Sequence, residues 1–291
     1  MTTPVTLAPG LRCVLAPNPS PLTGTGTNTY LLGHGELAVI DPGPDLDAHL
    51  NALLAACVGQ RITHIIVTHA HRDHSALAPR LARLTGASVL AFGTALDGIS
   101  PRMVALGPGV SSSGEGLDTD FRPDRRLADG DRIIGPDWTL AVLHTPGHLG
   151  GHLCLDWEGT LFSGDHVMGW ASTIVSPPEG DMACYMASLR RLAGQEWRRL
   201  LPGHGAPVED PASRIAELIA HRLMREEQVL HALADGPATP ASITARLYAN
   251  TPPQLWPAAQ RNVLAHLLDL EARNLVTSES GPKLASRYHR L

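Results

Sequence analysis

The tightest constraint on this chain is the stretch Thr68-His69-Ala70-His71-Arg72-Asp73-His74, which closes the apolar, β-branched run Ile62–Thr68. The run reads as a buried strand, so four metal-binding side chains are expected where that strand ends. With 15 histidines and 17 aspartates in 291 residues, H-x-H-x-D-H arises by chance in about two of a thousand such chains. In an extended segment residues two apart point the same way, so His69 and His71 can grip one ion. The chain is then expected to enter a helix, from about Ser75 to Leu84, turning Asp73 and His74 toward a second point nearby. The histidines are also unevenly placed: His64, His69, His71 and His74 fall within eleven residues, and His144, His148 and His152 within nine.

Three more turns supply what those four side chains lack. Thr145-Pro146-Gly147-His148, Ser163-Gly164-Asp165-His166 and Leu201-Pro202-Gly203-His204-Gly205 each follow an apolar strand-like run. Each puts a ligand-type side chain in a tight turn, with glycine permitting close backbone approach. A histidine or aspartate in one turn is usually a capping or solvated residue. Three at strand ends in one chain point to a shared site.

Along the chain, Thr29–Leu32 and Leu37–Ile40 read as a hairpin, followed by the turn Asp41-Pro42-Gly43-Pro44 and a helical stretch with Leu46, Leu50, Leu53 and Leu54. Further strands are expected at Val89–Phe92, Thr139–His144, His152–Leu155, Thr160–Ser163 and Arg198–Leu201, with a helix over about 181–192. Residues 107–131 read as a long loop, four glycines falling in its first ten positions. The composition changes near Asp210, which with Pro211 makes a good helix start. An apolar stripe through Ile215, Leu218, Ile219, Leu223, Val229, Leu230 and Leu233 ends at Gly236. Two more helical segments, about 240–248 and 257–273, precede short strands at Leu275–Thr277 and Leu284–Tyr288. That order is the outline of a winged helix, so the expected division is residues 1–210 and 211–291.

Composition removes several classes. No run of eighteen apolar residues is present, so a membrane-spanning helix is not expected. Met1–Ser20 shows no basic stretch followed by an apolar one, and Cys13, Cys57, Cys154 and Cys184 form no CxxC pair. Both features fit a reducing cytoplasm and argue against disulfides or a thiolate zinc site. The net charge is −5; residues 1–210 carry 14 basic and 21 acidic side chains, a poor balance for tracking a phosphate backbone.

The set His-x-His-x-Asp-His, PGH, SGD and PGHG, in this order over about residues 10–208, resembles the metallo-β-lactamase-fold superfamily. The resemblance implies an α+β fold, a four-layer αββα sandwich with its site at one edge, followed here by a small winged-helix-like unit. It implies that His69, His71 and His148 hold a first metal and Asp73, His74 and His204 a second. Asp165 then bridges the two, and Asp41 steadies the histidine loop. The appendage after PGHG resembles the lactamase-beta-2-like subgroup, whose members include ribonucleases and polyketide-releasing thioesterases. One departure is Ser75-Ala76-Leu77, where such sequences often carry paired glycines.

Neutral imidazole and carboxylate suit Zn²⁺, and also Fe or Mn. Two zinc ions there would generate a bridging hydroxide that attacks a carbonyl. The expected activity is therefore a metal-dependent hydrolase on a small-molecule ester or thioester, with Asp73 orienting the nucleophile and Asp165 fixing the ion spacing. Endoribonuclease action on single-stranded RNA is the alternative, followed by an iron-dependent dioxygenase of the persulfide type. A DNA-binding regulator ranks last, since 257–273 offers only Arg261 and Arg273. Association with a membrane is not expected, and a homo-oligomer is left open. Among the other histidines, His152 and His166 are candidates for outer support of the ligands or for a leaving-group acid. His64 and His144 are expected to pack beside strands. His34, His49, His221, His231, His266 and His289 have no ligand context and read as surface or helix residues. Trp170 is a candidate for the pocket wall, with ordinary core packing the competing reading.

Overall fold

The structure is a computed structural model that describes residues 3–106 and 116–291. The strands are β1 (Val5–Ala8), β2 (Leu11–Leu15), β3 (Asn28–Leu32), β4 (Glu36–Ile40), β5 (Arg61–Ile66), β6 (Ser88–Ala91) and β7 (Arg125–Arg126), which form one sheet in that order. A second sheet runs β12 (Arg199–Pro202), β11 (Thr160–Gly164), β10 (Leu153–Trp157), β9 (Thr139–His144) and β8 (Arg132–Ile134). Pairing is antiparallel from β1 to β4 and parallel from β4 to β7; in the second sheet only β11 and β12 are parallel.

The side-chain alternation of the strands sorts the core into layers. Ile66 of β5 faces the second sheet, where it meets residues such as Leu140, Leu153, Leu155 and Phe162. Ile65, one residue earlier, faces outward onto Leu50 and Leu53 of α1 (Asp47–Ala56) and Leu81 of α3 (Ala78–Thr85). On the far side, Cys154 and Leu161 pack against Tyr185 and Leu189 of α5 (Met182–Ala193) and Ile215 and Leu218 of α6 (Pro211–Ala232). The result is an α+β fold with helix, sheet, sheet and helix layers.

Helix α6 starts at the expected position, with the Asp210 carboxylate accepting from the Ser213 amide at 3.1 Å. It ends at Ala232, before Gly236. Its first half belongs to the sandwich, while Val229 and Ala232 enter a separate cluster. That cluster also contains Ile243 of α7 (Pro240–Leu247), Val263, Leu264 and Leu267 of α8 (Trp256–Ala272), and Val276 and Tyr288 of the hairpin β13 (Val276–Ser278) and β14 (Tyr288–Arg290). The last strand thus starts where Leu284–Tyr288 was expected to end, because the Tyr288 amide and carbonyl pair with Ala238.

Two expectations change. The helix expected from Ser75 to Leu84 is two helices, α2 (Arg72–Ser75) and α3, because the Leu77 amide donates to the Gly43 carbonyl instead of continuing the first turn. The loop expected over 107–131 lies partly outside the described residues. Its described part pairs Leu117 with His71, places Phe121 in the core and contributes β7. The four cysteines are free. Among the described residues no helix is long and apolar enough to cross a membrane.

Candidate metal centre

The motif side chains meet at one end of the two sheets. His69 and His71 leave the end of β5, Asp73 and His74 lie in α2, His148 follows β9, Asp165 follows β11 and His204 follows β12. Close approach depends on glycine: a Cβ on Gly203 would stand 2.5 Å from the His74 ring and 2.6 Å from Asp165 Oδ1. A Cβ on Gly147, at φ 146, would collide with Tyr185.

The ligand-type atoms form three overlapping groups, each within 4.8 Å: His69, His71 and His148; His69, His74 and Asp165; Asp73, His74 and His204. Asp165 sits between them. Its Oδ2 lies 3.9 Å from His69 Nε2 and 3.7 Å from His148 Nε2, and its Oδ1 lies 3.4 Å from His74 Nε2 and 3.5 Å from His204 Nε2. His148 Nε2 is 3.0 Å from His71 Nδ1, and His204 Nε2 is 3.2 Å from Asp73 Oδ2.

The far ring nitrogens fix which way these imidazoles work. Asp41 accepts from the Thr68 amide (2.7 Å), the Thr68 hydroxyl (2.8 Å) and His74 Nδ1 (2.9 Å). The Thr68 hydroxyl hydrogen is thereby used, so its oxygen accepts from His69 Nδ1 at 3.0 Å. His148 Nδ1 donates to the Ile174 carbonyl at 2.7 Å and His204 Nδ1 to the Gly26 carbonyl at 3.1 Å. In all four rings Nδ1 donates to a fixed acceptor and Nε2 faces the centre, the orientation that metal-binding histidines adopt. Asp41 holds this position at φ 52, a left-handed conformation that aspartate tolerates better than most residues.

Charge divides the cluster. Burial, with the neighbouring histidines, holds His69 well below its ordinary value and His71 down to about 3, so both are neutral. Burial acts the same way on His74 and His204, but the carboxylates of Asp73 and Asp165 outweigh it. His74 is pushed well above its ordinary value and His204 up to about 10. Asp73 is held down to about 2 by His74 and His204 against the opposing effect of burial. The two carboxylates thus gather positive charge onto His74 and His204, where a cation would take the place of those protons, and two buried atoms, His69 Nε2 and Asp165 Oδ1, have no hydrogen-bond partner among the described residues. The donor set fits divalent metal ions.

The outer candidates separate. His152 is fully buried; its Nε2 accepts from the Asp165 amide at 3.2 Å and its Nδ1 donates to the Thr145 hydroxyl at 2.9 Å. His166 is equally buried, but neither ring nitrogen has a hydrogen-bond partner among the described residues. His64 and His144 pack as expected, against Trp138 and Phe92. His49 and His266 lie on helices, and both are buried. Sequence reasoning missed Thr68 and Asn28, whose amide donates to the Pro202 and Gly205 carbonyls on either side of His204. It also missed Asp118, which accepts from the Ser75 hydroxyl at 2.7 Å.

Above the cluster opens a cavity of about 520 Å³. His71, Asp73, His148, Asp165 and His204 line its floor, while Leu22 and Trp170 stand at its walls with α8 and Tyr248. Trp170 is 47% exposed, so it belongs to the pocket and not to the core.

The chain matches the metallo-beta-lactamase superfamily over residues 22–204, and a beta-lactamase associated winged helix domain over residues 239–283. It belongs to the metallo-β-lactamase superfamily, and within it to the hydrolases that carry the winged-helix appendage. A beta-lactamase-like protein 2 homolog from Drosophila melanogaster is 34% identical over 271 residues, covering 89% of this chain and 86% of that protein. An atrochrysone carboxyl ACP thioesterase from Aspergillus fumigatus is 31% identical, covering 84% of this chain and 76% of its own length. The crystal structure of a beta-lactamase domain protein from Burkholderia ambifaria superposes with a TM-score of 0.82 at 27% identity, over 99% of this chain and 93% of that one.

Proposed function

We propose that the chain is a dinuclear zinc hydrolase that opens an ester or thioester. In this reading His69, His71 and His148 would hold one ion and Asp73, His74 and His204 the other, with Asp165, between the two groups, available to both. The observation that carries it is the convergence of seven ligand-type side chains in three overlapping groups, with two buried atoms in the middle one, His69 Nε2 and Asp165 Oδ1, that have no hydrogen-bond partner among the described residues. When bound, the ions supply a water of lowered pKa and an electrophile for the carbonyl oxygen.

The protein's own part is positioning and proton handling. Asp73 has 26% of its side chain exposed, more than Asp165, His74 or His204, and it lies at the floor of the cavity. Ionised at neutral pH, its carboxylate can orient the attacking water and accept the proton that leaves it. His152 holds the Asp165 amide and with it the direction of the bridging carboxylate. The cavity walls are largely apolar, with Leu22, Met168, Trp170, Ile174, Tyr248 and Leu255 among them, which suits an acyl chain better than a polyanion. The thioesterase name of the Aspergillus fumigatus relative supports the same choice.

The test is a parallel assay of acyl thioesters and single-stranded RNA, after removal of metal with a chelator and restoration with Zn²⁺, Mn²⁺ or Fe²⁺. Thioester turnover restored best by Zn²⁺, with intact RNA and no oxygen uptake, is the expected result. RNA cleavage without thioester turnover overturns the substrate class, and oxygen consumption with iron overturns the reaction.

A further inference from the structure

Between Asp165 and α5 the chain runs through residues 166–181 without a helix or strand, yet it is held from two sides. From outside, Arg214 of α6 donates to the Met168 carbonyl at 2.8 Å and to the Ala171 carbonyl at 2.9 Å. Arg222, two turns further along α6, donates to the Thr173 carbonyl. Asn262 of α8 accepts from the Val175 amide at 3.0 Å and from Arg222 at 3.4 Å. Toward the inside, the Thr173 hydroxyl donates to the carbonyl of Asp165, and the Ile174 carbonyl accepts from His148 Nδ1 at 2.7 Å. Three consecutive residues therefore carry contacts from the C-terminal helices to two members of the metal centre.

We propose that Arg222 and Asn262 are positioning residues for the metal centre, acting through the strap Thr173-Ile174-Val175 on His148 and Asp165. The inference rests on the metal centre proposed above.

Arg222 is 2% exposed, and the partners of its guanidinium are neutral. A buried guanidinium in such a place is costly to desolvate, and an apolar residue of similar volume would pack there more cheaply. What the charge meets instead is the Thr173 carbonyl, the Asn262 amide oxygen and the face of Tyr185, 5.1 Å from the guanidinium carbon. Tyr185 in turn donates to the His166 carbonyl at 3.1 Å, so the ring under the guanidinium also holds the backbone next to Asp165. The Ile174 carbonyl is the group that keeps the His148 proton on Nδ1 and leaves Nε2 bare. A strap displaced far enough to break this 2.7 Å hydrogen bond frees the tautomer and the tilt of the ring.

The experiment uses the full chain, stripped with a chelator and titrated with Zn²⁺ against a fluorescent competitor, and separately loaded with Co²⁺ for its visible absorption. Arg222→Met and Thr173→Val are each expected to weaken retention of an ion by about 10–100-fold and to alter the Co²⁺ spectrum, the usual scale for groups that orient metal ligands. The double variant should lose no more than the worse single one, since both cut one connection, and Arg222→Lys should recover part of the loss. Unchanged affinity and spectrum, with only a lower melting temperature, overturn the proposal. If Arg222→Met does not fold, Thr173→Val decides, because it leaves the helices and their packing intact. A wild-type chain that holds no metal refutes the centre itself, whereas normal wild-type loading with unaffected variants refutes only the clamp.

Discussion

Two regions of this molecule bury histidine, and they do it in opposite ways. At the end of the sheets, His69, His74, His148 and His204 each give one ring nitrogen to a fixed acceptor and turn the other toward Asp73 or Asp165. In α8, His266 is just as deeply buried, yet neither of its nitrogens has a hydrogen-bond partner among the described residues, and its nearest charged influences are arginines. Burial therefore does not distinguish a site from a core position. What distinguishes them is a far nitrogen whose partner settles the tautomer, together with carboxylates on the near side.

The largest effect that sharpens this contrast is expected at Asp165. Asp165→Asn keeps the shape but removes the charge shared between the clusters. If the chain holds two ions as proposed, metal content should fall to one or fewer per chain, and hydrolysis by about a thousandfold. Metal analysis that finds the wild-type content and an active enzyme would break the contrast, since the imidazoles would then need no carboxylate. A smaller loss is expected for Asp41→Asn. Asparagine tolerates the left-handed backbone at this position, so the change isolates the acceptor role toward Thr68 and His74 from strain. Zinc affinity, read by chelator competition, should fall about 10–100-fold while the fold persists. An unchanged affinity would mean that the far nitrogen of His74 is not what sets its orientation.

The contrast also separates what the sequence made legible from what it did not. Each ligand-type residue sits in a turn or a short helix just after a strand, and such segments can be recognised locally: H-x-H-x-D-H, PGH, SGD and PGHG are contiguous words. The supporting contacts are not words. Asn28 meets Pro202 across 174 residues of chain and Gly205 across 177, and Asn262 meets Val175 across 87. Ile174 acts through its carbonyl, which every residue type possesses. The break between α2 and α3 has the same origin, because the partner that diverts Leu77 is the backbone of Gly43. His266 and His49 looked alike in sequence to exposed helix positions such as His231, and only the packing of other elements distinguishes them.

The smallest expected effect tests the other half of the comparison. Burial, assisted by Arg222, His221, Arg225 and Arg273, pushes His266 down to about 3, against about 6.5 for an exposed imidazole. The folded chain thus keeps this ring neutral where the unfolded chain protonates it. Stability from this group is complete above pH 6.5 and is lost as the pH falls from there toward 3, at up to about 1.4 kcal/mol per pH unit. His266→Leu removes that one proton from the balance. In urea unfolding of metal-free protein, wild type should lose about 2 kcal/mol more than the variant between pH 6.5 and 5. His49, His166 and His221, also held low by burial, and the raised His74 and His204 are common to both proteins and cancel in the difference. Parallel curves would mean that the folded protein protonates His266 at its ordinary pKa, and an unpartnered ring in α8 would then no longer be the counterpart of the charge-framed rings at the sheet ends.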